Sequence, residues 1–292
     1  MRSTLNSQPP TLDTKAWRIL HDAREERWAD HFDGRWFVQT REARFPEALL
    51  ALAEGVAESV YWRPRDKAAA TAPVRITGAE VDGPFTVLEN GARFRIDFGA
   101  GYSCGLFTDQ RLNRRWVREV AKPGDRVLNT FAYTGGFSVM AALVGAETTT
   151  ADLSPHYLDW TWENFSLNGL DRSGHHGAKG DVFGWLRTFA RQGRTFHGVV
   201  LDPPTFSRSG KDTFRTDRDY ASLAALAMAV LEPGGWLLCC ANTHRLGADS
   251  FQREVFAGIR ERKRGVVSCE APPMPPEFGG DGYLKTLRIV VE

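Results

Sequence analysis

The stretch Val127-Leu-Asn-Thr-Phe-Ala-Tyr-Thr-Gly-Gly-Phe-Ser138 constrains the fold of this chain more than any other. Val127 and Leu128 read as a short buried strand, which empties into a turn at Gly135-Gly136. Phe137, Val139, Met140, Ala142 and Leu143 follow with helical spacing. Strand, glycine turn and helix make one βα unit. The first N–H groups of such a helix have no intrahelical acceptor, so they point at a ligand. The glycines are not spaced G-x-G-x-x-G, so a dinucleotide is not the first expectation.

Three acids then close three successive strand-like runs. Asp152 ends Glu147-Thr-Thr-Thr-Ala-Asp152, about twenty residues past the turn, where doubly wound folds place a carboxylate for ribose hydroxyls. Asp181 follows a weaker run after Gly180, and Asp202 ends Gly198-Val-Val-Leu-Asp-Pro-Pro204. Any one of these acids is more simply read as a cap or turn residue. Three in order, within an alternating α/β array, line one carboxyl edge of a sheet. Strands are predicted near 126–131, 147–151, 176–180, 197–201, 235–241, 266–270 and 284–291. Helices are predicted near 110–121, 136–144, 155–168, 182–191, 217–231 and 249–262. Glu232-Pro-Gly-Gly235 ends a helix and turns the chain into the strand beginning at Trp236.

The ordered segments Gly105-Leu-Phe-Thr-Asp-Gln-Arg-Leu-Asn-Arg114, Asn129–Phe137, Asp152-Leu-Ser154, Asn164-Phe-Ser-Leu-Asn168 and Asp202-Pro-Pro-Thr-Phe206 resemble the class I S-adenosylmethionine-dependent methyltransferases. More narrowly, they are similar to the bacterial 23S ribosomal RNA large-subunit methyltransferases I and K and their relatives. The resemblance implies a doubly wound Rossmann-like sheet, with its last strand antiparallel and inserted, and S-adenosyl-L-methionine as cofactor. Around that cofactor it places Asn129, Phe131, Tyr133, Thr134, Gly135 and Gly136, with backbone donors at Thr134–Gly136 on the methionine carboxylate. Asp152, beside Leu153, would accept from the ribose hydroxyls. Asp181 would accept from the adenine amino group, with Val182 and Phe183 against the ring. Arg111 would reach cofactor or substrate phosphate; a structural salt bridge at a domain junction is the competing reading.

Asp202 and the two prolines after it are expected over the transferable methyl. Pro203 and Pro204 lack N–H groups, so nearby carbonyls are left to face a substrate. Amino-methylating relatives place an aromatic directly after Pro-Pro; here Thr205 intervenes before Phe206, so an exocyclic amine is not the natural target. Phe206 would stack on a flipped base or lie in the core. Methylation of cytosine C5 needs a cysteine to add at C6. The positions where such relatives carry it hold Thr205 and Asn242 here. Cys239 and Cys240 fall earlier, inside the strand, where burial makes thiols inert; a register error of two would reinstate Cys240. Guanine N7 already carries a lone pair and loses no proton, so positioning suffices, and Asn242 is the expected positioning residue. The catalytic set is therefore Asp202, Pro203, Pro204, Phe206 and Asn242. It would methylate a base of large-subunit ribosomal RNA, guanine N7 favoured over cytosine C5; the alternative is a small-molecule or protein acceptor on the same fold.

Basic and acidic residues nearly balance, 37 against 36 for a net charge of +1, which excludes a general polyanion binder. Any RNA surface must be local. Arg111, Arg114, Arg115 and Arg118 share one helical face, and Arg260, Arg262, Lys263 and Arg264 form a second cluster. Four cysteines show no metal spacing, and an adjacent pair suits a reduced strand. With no apolar run of about 18 residues and no secretory pattern, a cytoplasmic enzyme without membrane span or metal is expected. The chain divides into a flexible tail (1–14), a small α+β domain (15–108) and an S-adenosylmethionine-binding domain (109–292). Residues 15–58 read as helical, Pro46–Glu58 included, so the RNA-binding barrel of many relatives has no evident counterpart. Asn90-Gly91, within Phe85–Phe98, predicts a type I′ hairpin. Phe278–Lys285 is expected to form a loop rimming the substrate cleft.

Overall fold

The computed structural model describes residues 5–6, 8–65, 72–101, 103–209 and 212–292. Two compact units emerge, Met1–Asn113 with Pro275–Asp281, and Arg114–Met274 with Gly282–Glu292. The division falls inside a helix rather than at 108/109, and a segment near the C-terminus belongs to the first unit.

The first unit carries β1 (Ala16–Asp22), β2 (Arg27–Phe32), β3 (Arg35–Thr40), α1 (Glu47–Ala53), β4 (Ser59–Pro64), β5 (Val74–Gly78), β6 (Phe85–Glu89) and β7 (Ala92–Ile96). Among the described residues β1 to β5 form one sheet in chain order, antiparallel except for β3–β4. That parallel pair requires a crossover, which α1 supplies while burying Leu49 and Ala53 in one core with Ile19, Leu20, Trp36, Val38, Val60 and Trp62. Residues 16–40 are thus strands and not helices. A register shift between Arg18 and Leu20 leaves Trp17, Ile19 and Leu20 all buried and breaks the period-two alternation that marks a strand. Asp33-Gly34, at φ 48° and 86°, is the type I′ pair that closes β2 onto β3. Asn90-Gly91, at φ 50° and 75°, does the same for β6 and β7. The expected loose tail lies partly outside the described residues, and the described part is anchored. Asn6 N–H donates to Ile19 O at 2.9 Å, Trp17 Nε1 donates to Asn6 O at 2.8 Å, and Thr14 is fully buried.

After the helix α2 (Arg111–Val120), the second unit continues with β8 (Arg126–Thr130), α3 (Gly136–Ala142), β9 (Glu147–Asp152), α4 (Pro155–Leu167), β10 (His175–Lys179), α5 (Val182–Arg191) and β11 (Phe196–Leu201). A hairpin of β12 (Phe206–Ser209) and β13 (Asp212–Arg215) follows, then α6 (Thr216–Met228), β14 (Leu231–Asn242), α7 (Ala248–Glu261), β15 (Val266–Glu270) and β16 (Leu284–Val291). Seven strands form a sheet in the order β10-β9-β8-β11-β14-β16-β15. The first five run parallel, and β16 is antiparallel to both neighbours. Strand order therefore reverses between β8 and β11, and the crevice beyond their carboxyl ends is where open α/β sheets take ligands. β14 begins at Leu231, so Glu232-Pro-Gly-Gly235 lies within the strand's early residues and does not end the helix, which stops at Met228.

Candidate active site

Register puts the key acids at one level. Thr130 stands opposite Ala151 on one side and Leu201 on the other, so Phe131, Asp152 and Asp202 are each the next residue of neighbouring strands β8, β9 and β11. Thr130 Oγ1 donates to Val200 O at 2.6 Å and ties β8 to β11 just below that level.

The turn after β8 is held from several directions. Phe131 and Tyr133 adopt φ +53° and +51°, positions unusual for side-chain-bearing residues and frequent at functional sites. Gly135 has φ +76°, and a Cβ there would come within 2.3 Å of Thr161 Cγ2. Tyr133 N–H donates to Asp152 Oδ2 at 2.9 Å, and Ser154 N–H donates to Asp152 Oδ1 at 2.8 Å. Burial pushes the Asp152 carboxyl above its usual range, against the pull of those amides. The buried Asn164 amide donates to Thr134 O at 2.9 Å, and Asn168 donates to Asn164 O at 2.7 Å, which gives that asparagine pair its task. Asn129 is fully buried and its amide donates to Ser138 Oγ at 3.0 Å, so it fastens β8 to α3 from beneath the turn. Thr134, Gly135 and Gly136 are buried too, leaving only partial exposure at Phe131 and Tyr133.

Farther along the edge, Leu153 is 54 % exposed beside Asp152. Asp181 caps α5, its Oδ2 accepting from Gly184 N–H at 2.7 Å. Val182 lies in the core with Leu186 and Phe189, not on the crevice surface. Phe183 is partly buried and packs 5.3 Å from Phe214, which also stacks 6.2 Å from Phe131. Phe214 had no signal in the sequence; it emerges because the β12–β13 hairpin brings its ring against both Phe131 and Phe183.

Past β11, Asp202 is half-buried, Pro203 buried and Pro204 exposed. Thr205 Oγ1 donates to Asn242 O at 2.7 Å, so the Asp-Pro-Pro end of β11 and the end of β14 lie together. Asn242 is exposed, and Phe206 is 57 % exposed, so Phe206 is a surface ring and not core. Cys239 and Cys240 are fully buried, and burial pushes the Cys239 thiol far up, away from thiolate. Exposed His244 packs edge-on to Tyr283 at 6.0 Å. Lys285, whose ammonium is weakened by burial, donates to Thr243 O and, at 2.9 Å, to Tyr283 O.

Arg111 is 3 % exposed and pairs with Glu277 at 2.6 Å inside the first unit, the salt bridge of the competing reading of this residue. Its helical stripe divides accordingly: Arg114 is buried, and Arg115 reaches outward to Glu119 at 2.8 Å. In the second cluster, Arg262 donates to Ala225 O at 3.0 Å and Arg264 to Leu231 O and Glu232 O at 3.2 and 3.1 Å. Those guanidinia cap backbone carbonyls. Among the described residues no group of acids, histidines and cysteines is arranged to hold a metal, and no helix is long and apolar enough to cross a membrane.

A family model described as S-adenosylmethionine-dependent methyltransferase matches residues 51–289. Ribosomal RNA large subunit methyltransferase K of Neisseria meningitidis serogroup B is 35 % identical over 77 % of this chain and 66 % of its own. The K/L enzyme of Chromohalobacter salexigens is 41 % identical over 76 % of this chain and 29 % of its own. The chain thus spans from under a third to about two thirds of these relatives. Among solved structures, one described as a methyltransferase complexed with SAH superposes with a TM-score of 0.85 at 24 % identity, over 96 % of this chain and 76 % of that one. A SAM-dependent methyltransferase from Agrobacterium tumefaciens gives 0.73 at 20 % identity, over 96 % and 90 %. The residues present fit this cofactor: the turn carries no side chains at Gly135 and Gly136, and Asp152 offers a fixed carboxylate beside it. The chain belongs to the S-adenosylmethionine-dependent methyltransferase family.

Proposed function

We propose that this chain methylates a base of large-subunit ribosomal RNA, with guanine N7 favoured over cytosine C5. One observation carries the choice of atom: the acceptor edge joins Asp202-Pro203-Pro204 to exposed Asn242 and offers only thiols that are sealed in the sheet. The names of the curated relatives support the RNA class.

Bound S-adenosylmethionine supplies an electrophilic methyl on a sulfonium. Around it, the turn Asn129–Gly136 would hold the amino-acid end, Asp152 the ribose, and Asp181 the adenine amino group through the oxygen opposite its capping one. Pro203 and Pro204 present no N–H to compete for the base edge. Phe206 would stack on the extruded base, and the Asn242 amide would hydrogen-bond its edge. Guanine N7 already carries a free lone pair and would give up no proton, so the residues here would have only to hold that edge in line with the bound methyl donor. Chemistry of this kind asks for alignment rather than for a base, and alignment supplies the larger part of such a barrier reduction. Cytoplasmic residence accompanies this reading.

Nucleoside mass spectrometry of 23S ribosomal RNA, with and without the gene, tests the proposal. Loss of one methylguanosine is expected, together with its return on incubation with enzyme and cofactor. Asn242→Ala should lower that activity at least tenfold while Cys240→Ala keeps it; the reverse pattern reinstates C5 chemistry. Unchanged RNA would favour a small-molecule or protein acceptor, as the near-neutral net charge of +1 also does.

A further inference from the structure

We propose that Lys285, with Arg245 beside it, receives a backbone phosphate of the RNA next to the target base, an inference that rests on the RNA reading above. A net charge of +1 means that any phosphate contact is local. Within the two arginine-rich clusters, Arg111 is taken by Glu277, and Arg262 and Arg264 by backbone carbonyls. The end of β14 carries two cations placed differently. Lys285 faces Ala241 across the β14–β16 pairing, next to the pair Asn242–Leu284. Arg245 follows shortly after Asn242, is exposed, and enters no ion pair among the described residues.

Lys285 holds a charge that the fold does not use. Its half-buried ammonium donates to Thr243 O and, at 2.9 Å, to Tyr283 O, and it meets no carboxylate among the described residues. Thr243 N–H already donates to Tyr283 O at 2.9 Å, so these strand ends are joined without the lysine. Neutral carbonyls ask for donors rather than for a charge, and the ammonium has a further N–H to give. Sinking a cation costs free energy that an anion offsets best, and here burial weakens the ammonium with no acid opposing it. Arg245 N–H donates to Thr243 Oγ1 at 3.1 Å, so both cations are anchored on Thr243. Thr205 Oγ1 fixes the carbonyl of Asn242, the residue before it. Positive charge is thereby fixed beside the amide proposed to hold the base. A phosphodiester suits it better than the base edge does, because a guanine methylated on N7 turns cationic and repels an ammonium.

Binding of the full chain to an unmodified 23S ribosomal RNA transcript, measured from about 50 to 200 mM KCl, isolates this contact. Each single-strand phosphate held by a cation adds about 0.7 to the slope of log Kd against log salt. Lys285→Gln keeps a donor for the carbonyls and removes the charge. It is expected to weaken binding about 3- to 10-fold at low salt and to lower the slope by about 0.7. Arg245→Gln, at an exposed position that puts no strand end at risk, should lower the slope likewise, and the double variant by about 1.4. Lys285→Arg should restore it. The Kd for S-adenosylmethionine should stay within about twofold throughout, since that site shares no contact with these side chains. A slope unchanged in both single variants overturns the proposal even where affinity falls, because a purely structural side chain weakens binding without moving the slope. If wild type neither binds nor methylates the transcript, the RNA reading fails and this inference falls with it. Wild-type methylation with unshifted variants sinks the phosphate contact alone.

Discussion

Gly135 meets two constraints at one atom, a backbone at φ +76° and a Cβ position 2.3 Å from Thr161 Cγ2. Gly135→Ala should therefore cost about 1–3 kcal/mol in thermal or denaturant unfolding and weaken cofactor binding by displacing the turn. A variant of unchanged stability and affinity would show that the turn tolerates a side chain. His31 offers a second residue-scale test. Gly34 N–H donates to its Nε2 at 3.0 Å, so the ring proton sits on Nδ1, which has no partner among the described residues. A second proton would set donor against donor in a buried place, and burial holds the imidazole down at about 4. On acidification the unfolded chain takes up its proton near 6.5 and the folded one only near 4. Stability present above that window is lost within it, by up to about 3 kcal/mol. His31→Gln, which can still accept from Gly34, should flatten stability between pH 6.5 and 4; an unchanged pH profile would refute the assignment. Residue roles were legible in the sequence where backbone geometry demands a residue type, as at Gly135. They were illegible where a side chain can turn either way: Arg111 and Arg115 look alike in a helical stripe, and only packing tells them apart.

α6 acts as a brace for the acceptor edge. Thr216 and Tyr220 stand one turn apart on it. Thr216 Oγ1 donates to Pro204 O at 2.9 Å, and the buried Tyr220 hydroxyl lies 3.1 and 3.0 Å from Leu201 O and Cys240 O. Leu201 and Cys240 lie where β11 and β14 stop pairing, one residue before Asp202 and two before Asn242, and Pro204 follows just beyond β11. Tyr220→Phe keeps the ring against Phe251 and removes the strut. It should lower turnover about tenfold through misalignment, with the cofactor Kd unchanged within about twofold; a turnover that does not fall, or a parallel loss of cofactor affinity, contradicts the brace. Such an element was invisible beforehand because a tyrosine in an apolar helical pattern reads as core. The α/β array itself was legible to within about four residues at its boundaries, the β12–β13 hairpin excepted, since β-branched runs, glycine turns and helical spacing alternate along it. Strand β1 was not, because the bulge at Arg18–Leu20 broke its alternation.

On the scale of the whole chain, sequence order and spatial order part company. Pro275–Asp281 completes the first unit although the residues on either side of it belong to the second. It supplies Glu277 to Arg111, Asp281 to His21 at 2.9 Å, and Phe278 beneath Arg18 at 4.7 Å. Glu277→Ala leaves the Arg111 charge buried without its partner and should cost about 3–5 kcal/mol in denaturant unfolding. A loss below about 1 kcal/mol would mean that the pair is dispensable. Synthesis runs at about 5–20 residues per second, and domains near the N-terminus ordinarily close first. Here the leading unit waits roughly ten to thirty seconds for its missing piece to leave the ribosome. Until then Arg111 and the flank of β1 stay open to the solvent and to chaperones, so this unit closes only when the other is within about a dozen residues of its own completion.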